Sequence, residues 1–144
     1  MSIALVPEYF RNILTTQCGF TEWTDAFNIE NIPSTILDES WHIDFGDTLK
    51  ATTLGGNVQG VEVGIIIQLF FKSFRDTSEG RLEALVKGET VIGLVLDPTN
   101  RFTQQSDGNI NYVFDAMRVR ELALSNDNAV VLEIEFHADM VLCF

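Results

Sequence analysis

The stretch VVLEIEFHADMVLCF, residues 130–144, alternates apolar and polar side chains with a period of two, which is typical of a half-buried β-strand. One face would carry apolar side chains, and the other would carry mainly acidic ones. At about 3.3 Å per residue, such a strand would be about 50 Å long, compared with a usual strand of about 5–6 residues. We therefore expect it to outgrow a single compact domain and to pair with strands from another copy of the chain.

The composition is that of a folded, acidic protein. Hydrophobic residues make up 46% of the 144 residues, which excludes a disordered chain and fits one domain, residues 1–144. The formal net charge of −12 should repel nucleic-acid phosphates, so specific DNA binding is not expected. A channel lined with carboxylates would still let DNA pass.

No feature of the sequence points to export or to a membrane. Residues 1–10 lack the basic stretch of a secretory signal, and the longest apolar stretch, residues 63–71, is too short for a membrane helix. Cys18 and Cys143 have no Cys or His neighbour at metal-binding spacing, so both are expected to be buried free thiols. We expect a soluble protein made in a reducing compartment.

The first half of the chain predicts a helix followed by a strand. Apolar residues at helical spacing, with Pro7 in the first turn, predict a short amphipathic helix over 7–17. Residues 18–35 show neither period and are predicted to form an ordered loop anchored by aromatic side chains. Residues 36–46, ILDESWHIDFG, have the alternation of a half-buried strand.

A glycine-rich segment separates that strand from the most apolar one. Residues 46–60 are predicted to form a mobile arm or a hairpin tip that reaches a partner. Residues 61–74 predict a central strand covered on both faces. Exposed, its VGIIIQLFF stretch would promote aggregation, so it needs a helix, another sheet or a sister subunit over it.

The second half predicts a long helix and a closing hairpin. The helix should begin after Asp76 and end before Pro98, with a possible break near Gly88. A polar loop at 97–110 precedes a strand over 111–124, which the turn at 125–128 joins to the final strand. The fold class is therefore α+β, with a mostly antiparallel sheet, one major helix and a short N-terminal helix.

Four titratable residues project from one face of the final strand: Glu133, Glu135, His137 and Asp139. Neighbours in this series would lie about 7 Å apart, which suits a solvated stripe, an inter-subunit contact or a channel lining better than a metal site. We therefore predict no metal, no cofactor and no catalytic residue.

Two smaller patterns have structural interpretations. His42 and Asp44 share a strand face without a nucleophile motif, so His42 is expected to be an ordinary hydrogen-bonded histidine. Arg118 and Arg120 are expected to pair across the hairpin with acidic residues of the final strand.

The order of elements resembles that of the tail terminator, or tail-completion, proteins of long-tailed bacteriophages, including the minor tail protein U type. The likeness spans nearly the whole chain and is carried by VEVGIIIQLFFKS, by the helix after Asp76 and by SNDNAVVLEIEFHADMVLCF. It implies a non-enzymatic virion protein that is assembled in the bacterial cytoplasm and forms a hexameric ring. That ring would cap the tail tube, contact the neck or connector protein, and let DNA pass without specific binding.

The segments expected to contact partners or neighbouring subunits are the arm at 46–60, the loop at 97–110 and the acidic stripe. Their candidate contact residues are Leu49, Lys50, Leu54, Val58, Arg101, Phe102, Glu133, Glu135, His137 and Asp139. Within the same class, the alternatives are a head-completion or connector protein and a tail-tube subunit. Outside it, the alternatives are a small acidic metal-dependent enzyme and a ligand-binding α+β module.

Overall fold

The computed structural model describes residues 3–23, 39–52, 58–73, 77–100, 110–123 and 128–143. The elements are helix α1 (Leu5–Arg11), a π-helical turn (Asn12–Gln17), strands β1 (Thr21–Glu22), β2 (Ser40–Thr52) and β3 (Val58–Ser73), helix α2 (Thr77–Leu96), and strands β4 (Asn111–Ala123) and β5 (Asn128–Cys143). The strands form one five-stranded sheet in the order β1-β2-β3-β5-β4. The predicted α+β class, with a mostly antiparallel sheet, is confirmed.

Strand β5 lies inside the sheet, between β3 and β4. Its pairing with β3 runs antiparallel from Asn128 opposite Ser73 to Cys143 opposite Val58. On its other side it pairs with β4, in the predicted closing hairpin. The expectation that β5 needs strands from another copy is wrong, because β3 is equally long and both edges of β5 are paired within the chain.

The N-terminal helical region differs in detail from the predicted helix over 7–17. Helix α1 begins at Leu5, so Pro7 lies in its first turn as predicted, but a π-helical turn replaces the second half. Thr15 in this turn accepts a hydrogen bond of 3.0 Å from Trp41 Nε1 on β2. Strand β1 lies within the predicted loop at 18–35 and pairs parallel with the start of β2; residues 24–38 are outside the described part of the chain.

Most of the segment at 46–60 is strand, which corrects the predicted end of the first strand at Gly46. Strand β2 continues to Thr52, with a register shift between Phe45 and Leu49, and β3 begins at Val58. The two strands pair antiparallel, as the hairpin interpretation required. The bulge lets β2 pass Gly46, after which pairing with β3 resumes.

The core lies between the helices and one face of the sheet. Alternate residues of β3 and β5 supply it, as their period of two predicts: Val61, Val63, Ile65, Ile67, Leu69, Phe71, Val130, Leu132, Ile134, Phe136, Ala138 and Met140 are all buried. Helix α1 and the π turn add Val6, Tyr9, Phe10, Ile13 and Leu14. Their burial explains why both helical segments lie on this face.

Helix α2 is continuous from Thr77 to Leu96, so the predicted break near Gly88 is wrong. Gly88 is buried where the helix crosses the sheet, and an added Cβ there would overlap Leu132 of β5. The glycine therefore allows close packing rather than interrupting the helix. Within the described residues, neither helix combines the length and apolar character needed to cross a membrane.

The second face of the sheet, called the open face below, is polar over most of its described length. At one end Phe70 and Val131, which are cross-strand partners, are fully buried, and Ile66 is half-buried. Glu62 and Gln68 on the same strand are also half-buried rather than fully buried. The prediction that the central strand is covered on both faces therefore holds only near Phe70. Elsewhere the open face presents charged side chains.

Candidate functional site

The open face carries charged residues in rows that run across the sheet. The pairing of β2, β3, β5 and β4 gives three such rows: Lys50, Glu62, Asp139 and Asn111; Asp44, Ile66, Glu135 and Ala116; and His42, Gln68, Glu133 and Arg118. Between the first two rows, Gly64, His137 and Val113 are aligned. Side chains from different strands therefore meet along each row.

The first charged group consists of Glu133 and Glu135 with the two arginines of β4. Arg118 Nη2 lies 2.5 Å from Glu135 Oε1, and Arg118 Nε lies 3.6 Å from Glu133 Oε2. Arg120 also forms an ion pair with Glu133. Gln68 Nε2 donates a further hydrogen bond of 3.3 Å to Glu133. The predicted cross-strand pairing is confirmed. Glu133 and Glu135 of the stripe therefore already form ion pairs within the chain.

The second group surrounds His137. Asp115 approaches His137 Nδ1 at 2.8 and 2.9 Å, and Asp139 Oδ2 lies 3.8 Å from the other ring nitrogen, Nε2. Glu62 of β3 lies directly opposite Asp139. The ligand atoms of Glu62, His137 and Asp139 lie within 4.8 Å of one another. Among the described residues, these three side chains are the set that could hold a metal ion.

A β-bulge in β4 brings Asp115 to the histidine. Phe114 opposes Phe136 and Ala116 opposes Glu135, so Asp115 is the extra residue of the strand. The hydrogen bond from the ring to Asp115 raises the pKa of His137; its partial burial opposes this effect, and the negative charges of Asp115, Asp139 and Glu62 add to it. The bulge therefore favours the imidazolium form.

The predicted contact residues outside the stripe do not form one site. Leu49 and Lys50 lie in β2 beyond its bulge and are exposed, and Lys50 faces Glu62 across the strand pair. Val58 is the first residue of β3. Leu54, Arg101 and Phe102 lie outside the described residues, so their predicted roles remain predictions.

His42 is held by the backbone, as expected of an ordinary histidine. Its Nδ1 lies 2.9 Å from the carbonyl oxygen of Trp23, the residue that follows β1. Asp44 accepts a hydrogen bond of 2.9 Å from the amide of Phe45. Cys18 is a free, half-buried thiol whose pKa is raised by burial. None of these three side chains belongs to the group around His137.

Sequence reasoning missed Glu62 and Asp115, the two carboxylates that other strands bring to His137. Each is an acidic residue flanked by apolar ones, Val61 and Val63 around Glu62 and Phe114 and Ala116 around Asp115, and that was the available signal. The spacing argument against a metal considered ligands on one strand only. Cross-strand neighbours are about 4.5–5.5 Å apart, closer than the about 7 Å between alternate residues of one strand.

Comparison with models of known protein families gave no match, and comparison with curated proteins gave none either.

Proposed function

We propose that the protein is a structural virion subunit, a phage tail terminator that forms a ring with copies of itself, caps the tail tube and joins it to the head or neck. Sequence resemblance supports this proposal. The observation that carries it is that both outer strands of the sheet expose an edge without a strand partner among the described residues: β4, and β2 beyond Trp41.

The two free edges lie on opposite sides of the molecule. Unpaired backbone N–H and C=O groups along an edge are ready to pair with another extended chain. Because the edges differ, the β4 edge of one copy can meet the β2 edge of the next, and such head-to-tail contacts generate rings when the rotation closes. In this proposal the subunit interface lies at the edge strands rather than at β5.

Each free edge also carries an exposed apolar side chain. Leu49 on β2 is 44% exposed, and Phe114 on β4 is 37% exposed. Both belong to the helix-covered side of the sheet, because they occupy the same rows as the core residues Val63 and Phe136. A head-to-tail contact would remove both from water, which favours association.

In this proposal the protein acts through its shape and charge. The acidic stripe would line a channel or a subunit contact, and the net charge of −12 would let DNA pass without specific binding. A head-completion protein, a connector or a tail-tube subunit would use the same edges. Labelling of the protein in intact virions distinguishes these positions, and a label at the tail end nearest the head is expected.

Native mass spectrometry tests the ring. A hexamer of the 16.2 kDa chain has a mass of about 97 kDa. Leu49→Glu and Phe114→Glu should each abolish the ring, whereas Leu82→Glu, at an exposed apolar residue on α2, should not. Because each edge variant keeps one intact edge, mixing the two should give a heterodimer of about 32 kDa. A chain that stays monomeric even with purified tail tubes would contradict the proposal.

A further inference from the structure

We infer that Glu62, His137 and Asp139 form a binding site for a divalent first-row transition-metal ion, with Asp115 as the residue that orients the histidine. The site combines side chains from three strands, β3, β5 and the bulge of β4, on the open face. This inference does not depend on ring formation.

The distances between the ligand atoms fit a shared cation better than direct hydrogen bonds. His137 Nε2 and Asp139 Oδ2 are 3.8 Å apart, beyond hydrogen-bonding range. Around an ion with bonds of about 2.0–2.2 Å, neighbouring ligand atoms lie about 3–3.5 Å apart. One ligand atom from each of the three residues already lies within 4.8 Å of the other two, so small side-chain movements would complete the site.

The histidine is prepared for coordination through Nε2. A carboxylate accepts hydrogen bonds, so the contacts of 2.8 and 2.9 Å to Asp115 assign a proton to His137 Nδ1. In the neutral ring, Nε2 then carries the lone pair and lies on the side of Asp139. Metal-binding histidines commonly have this arrangement, in which a second carboxylate fixes the tautomer and the ring orientation.

The surroundings leave both room and unbalanced charge for a cation. Gly64 lies directly opposite His137, and the one described atom that an added Cβ there would meet within 4 Å is Gly46 Cα, at 3.9 Å. Among the described residues, the half-buried Glu62 has no hydrogen-bond or ion-pair partner. Glu133 and Glu135, in contrast, are paired with arginines. The carboxylates near His137 are therefore not ion-paired with an arginine or lysine of the described residues, although Lys50 of β2 lies opposite Glu62.

The ligand types indicate the class of metal. An imidazole nitrogen with two carboxylate oxygens suits borderline ions such as Zn²⁺, whereas Ca²⁺ and Mg²⁺ prefer oxygen ligands alone. Three protein ligands also leave at least one coordination position for water or for another group. We therefore expect selectivity for Zn²⁺ over Ca²⁺ that depends on the histidine.

Calorimetric titration of the full chain with Zn²⁺ tests the site. We expect one ion per chain, and His137→Ala, Glu62→Gln and Asp139→Asn, which each remove a ligand, should lower the affinity by at least about 10–100-fold. Asp115→Asn, which leaves the three ligands in place, should weaken binding by about 10–100-fold. Chemical shifts of the His137 ring provide a second measurement, because Zn²⁺ should perturb them in the wild-type protein.

Glu135→Gln is the matched control for Glu62→Gln. Both glutamates are half-buried on the open face, and each variant removes one negative charge, but Glu135 is not a proposed ligand. Equal losses in the two variants would show general attraction by the acidic face and overturn the inference. Ca²⁺ binding as tightly as Zn²⁺ would also overturn it. If His137→Ala does not fold, the comparison of these two glutamine variants decides.

Discussion

At Gly88, helix α2 packs closely against the sheet. An added Cβ would lie 2.8 Å from Met117 Sδ, closer than van der Waals contact permits, and would also overlap Leu132. Leu132 is fully buried and has little room to move. Gly93 on the same helix is exposed, and no described atom lies within 4 Å of its added Cβ. Substitutions at these two glycines can therefore distinguish the effect of close packing from the effect of helix propensity.

Alanine at these two positions should therefore have opposite effects. Alanine improves helix propensity by about 1 kcal/mol at either site. At Gly88 the overpacking cost of about 1–3 kcal/mol is larger, so Gly88→Ala should lower the free energy of unfolding by about 1 kcal/mol. Gly93→Ala should raise it by about 0.5–1 kcal/mol. Urea denaturation measures both, and equal stabilisation by the two variants would show that the helix does not pack closely at Gly88.

The raised pKa of His137 predicts how stability depends on pH in metal-free protein. The charged ring is favoured in the folded state, so its contribution is fully present below the pKa of the unfolded chain and is lost as pH rises through the folded pKa. Asp115→Asn should bring the pKa of His137 back toward its ordinary value. The loss of stability as pH rises should then disappear. NMR titration in EDTA, with His137→Asn to assign the resonance, tests the prediction; an unchanged pKa in Asp115→Asn would contradict it.

The His137 group shows what the sequence could not supply at the residue scale. Alternation in β5 correctly put His137 and Asp139 on one face, but Glu62 comes from a strand about 75 residues earlier in the chain. Its position depends on the register of β3 against β5. The position of Asp115 beside His137 depends on a bulge in β4, and a bulge changes the face of the sheet toward which a side chain points.

At the element scale, alternation predicted the long strands well, and composition predicted their ends poorly. The glycines at 46–60 suggested a loop, yet β2 runs through Gly46 by forming a bulge. Strand order was also beyond the sequence. The length of β5 suggested partners in another copy, whereas β3 matches its full length within the chain.

Tyr9 joins helix α1 to two other elements of the core. Its hydroxyl donates a buried hydrogen bond of 2.7 Å to the carbonyl oxygen of Val95, near the end of α2. Its ring stacks on Tyr112 of β4, with centroids 4.5 Å apart and an interplanar angle of 4°. One side chain thus joins three elements.

Substitution of Tyr9 should separate these two contributions. Tyr9→Phe leaves a buried carbonyl without this donor and should lower the free energy of unfolding by about 1–2 kcal/mol. Tyr9→Ala also removes the stacked ring and should cost about 3–5 kcal/mol. Thr90→Val, which removes an exposed hydrogen bond of 3.2 Å to Val86, is the control and should change stability by less than about 0.5 kcal/mol. A Tyr9→Phe protein as stable as wild type would argue against this attachment.

At the scale of the whole molecule, charge opposes the proposed ring while apolar edges favour it. Each chain carries a formal net charge of −12, so six chains together would carry a charge of about −72. The repulsion between copies acts through solvent and is screened over about 30 Å at 0.01 M salt but over about 3 Å at 1 M. Burial of Leu49 and Phe114 is not weakened by salt in this way. Whether self-association strengthens or weakens with ionic strength should therefore reveal which electrostatic effect dominates at the interface.

We predict that raising NaCl from about 0.05 to about 0.5 M strengthens self-association, because it screens repulsion between like-charged subunits. Sedimentation at several protein concentrations measures this effect. Replacing the exposed Glu79 and Glu89 of α2 by glutamine should tighten association at low salt and reduce its salt dependence. Association that weakens with salt would instead indicate ion pairs between subunits, and the edge contact through Leu49 and Phe114 would then be the wrong interface.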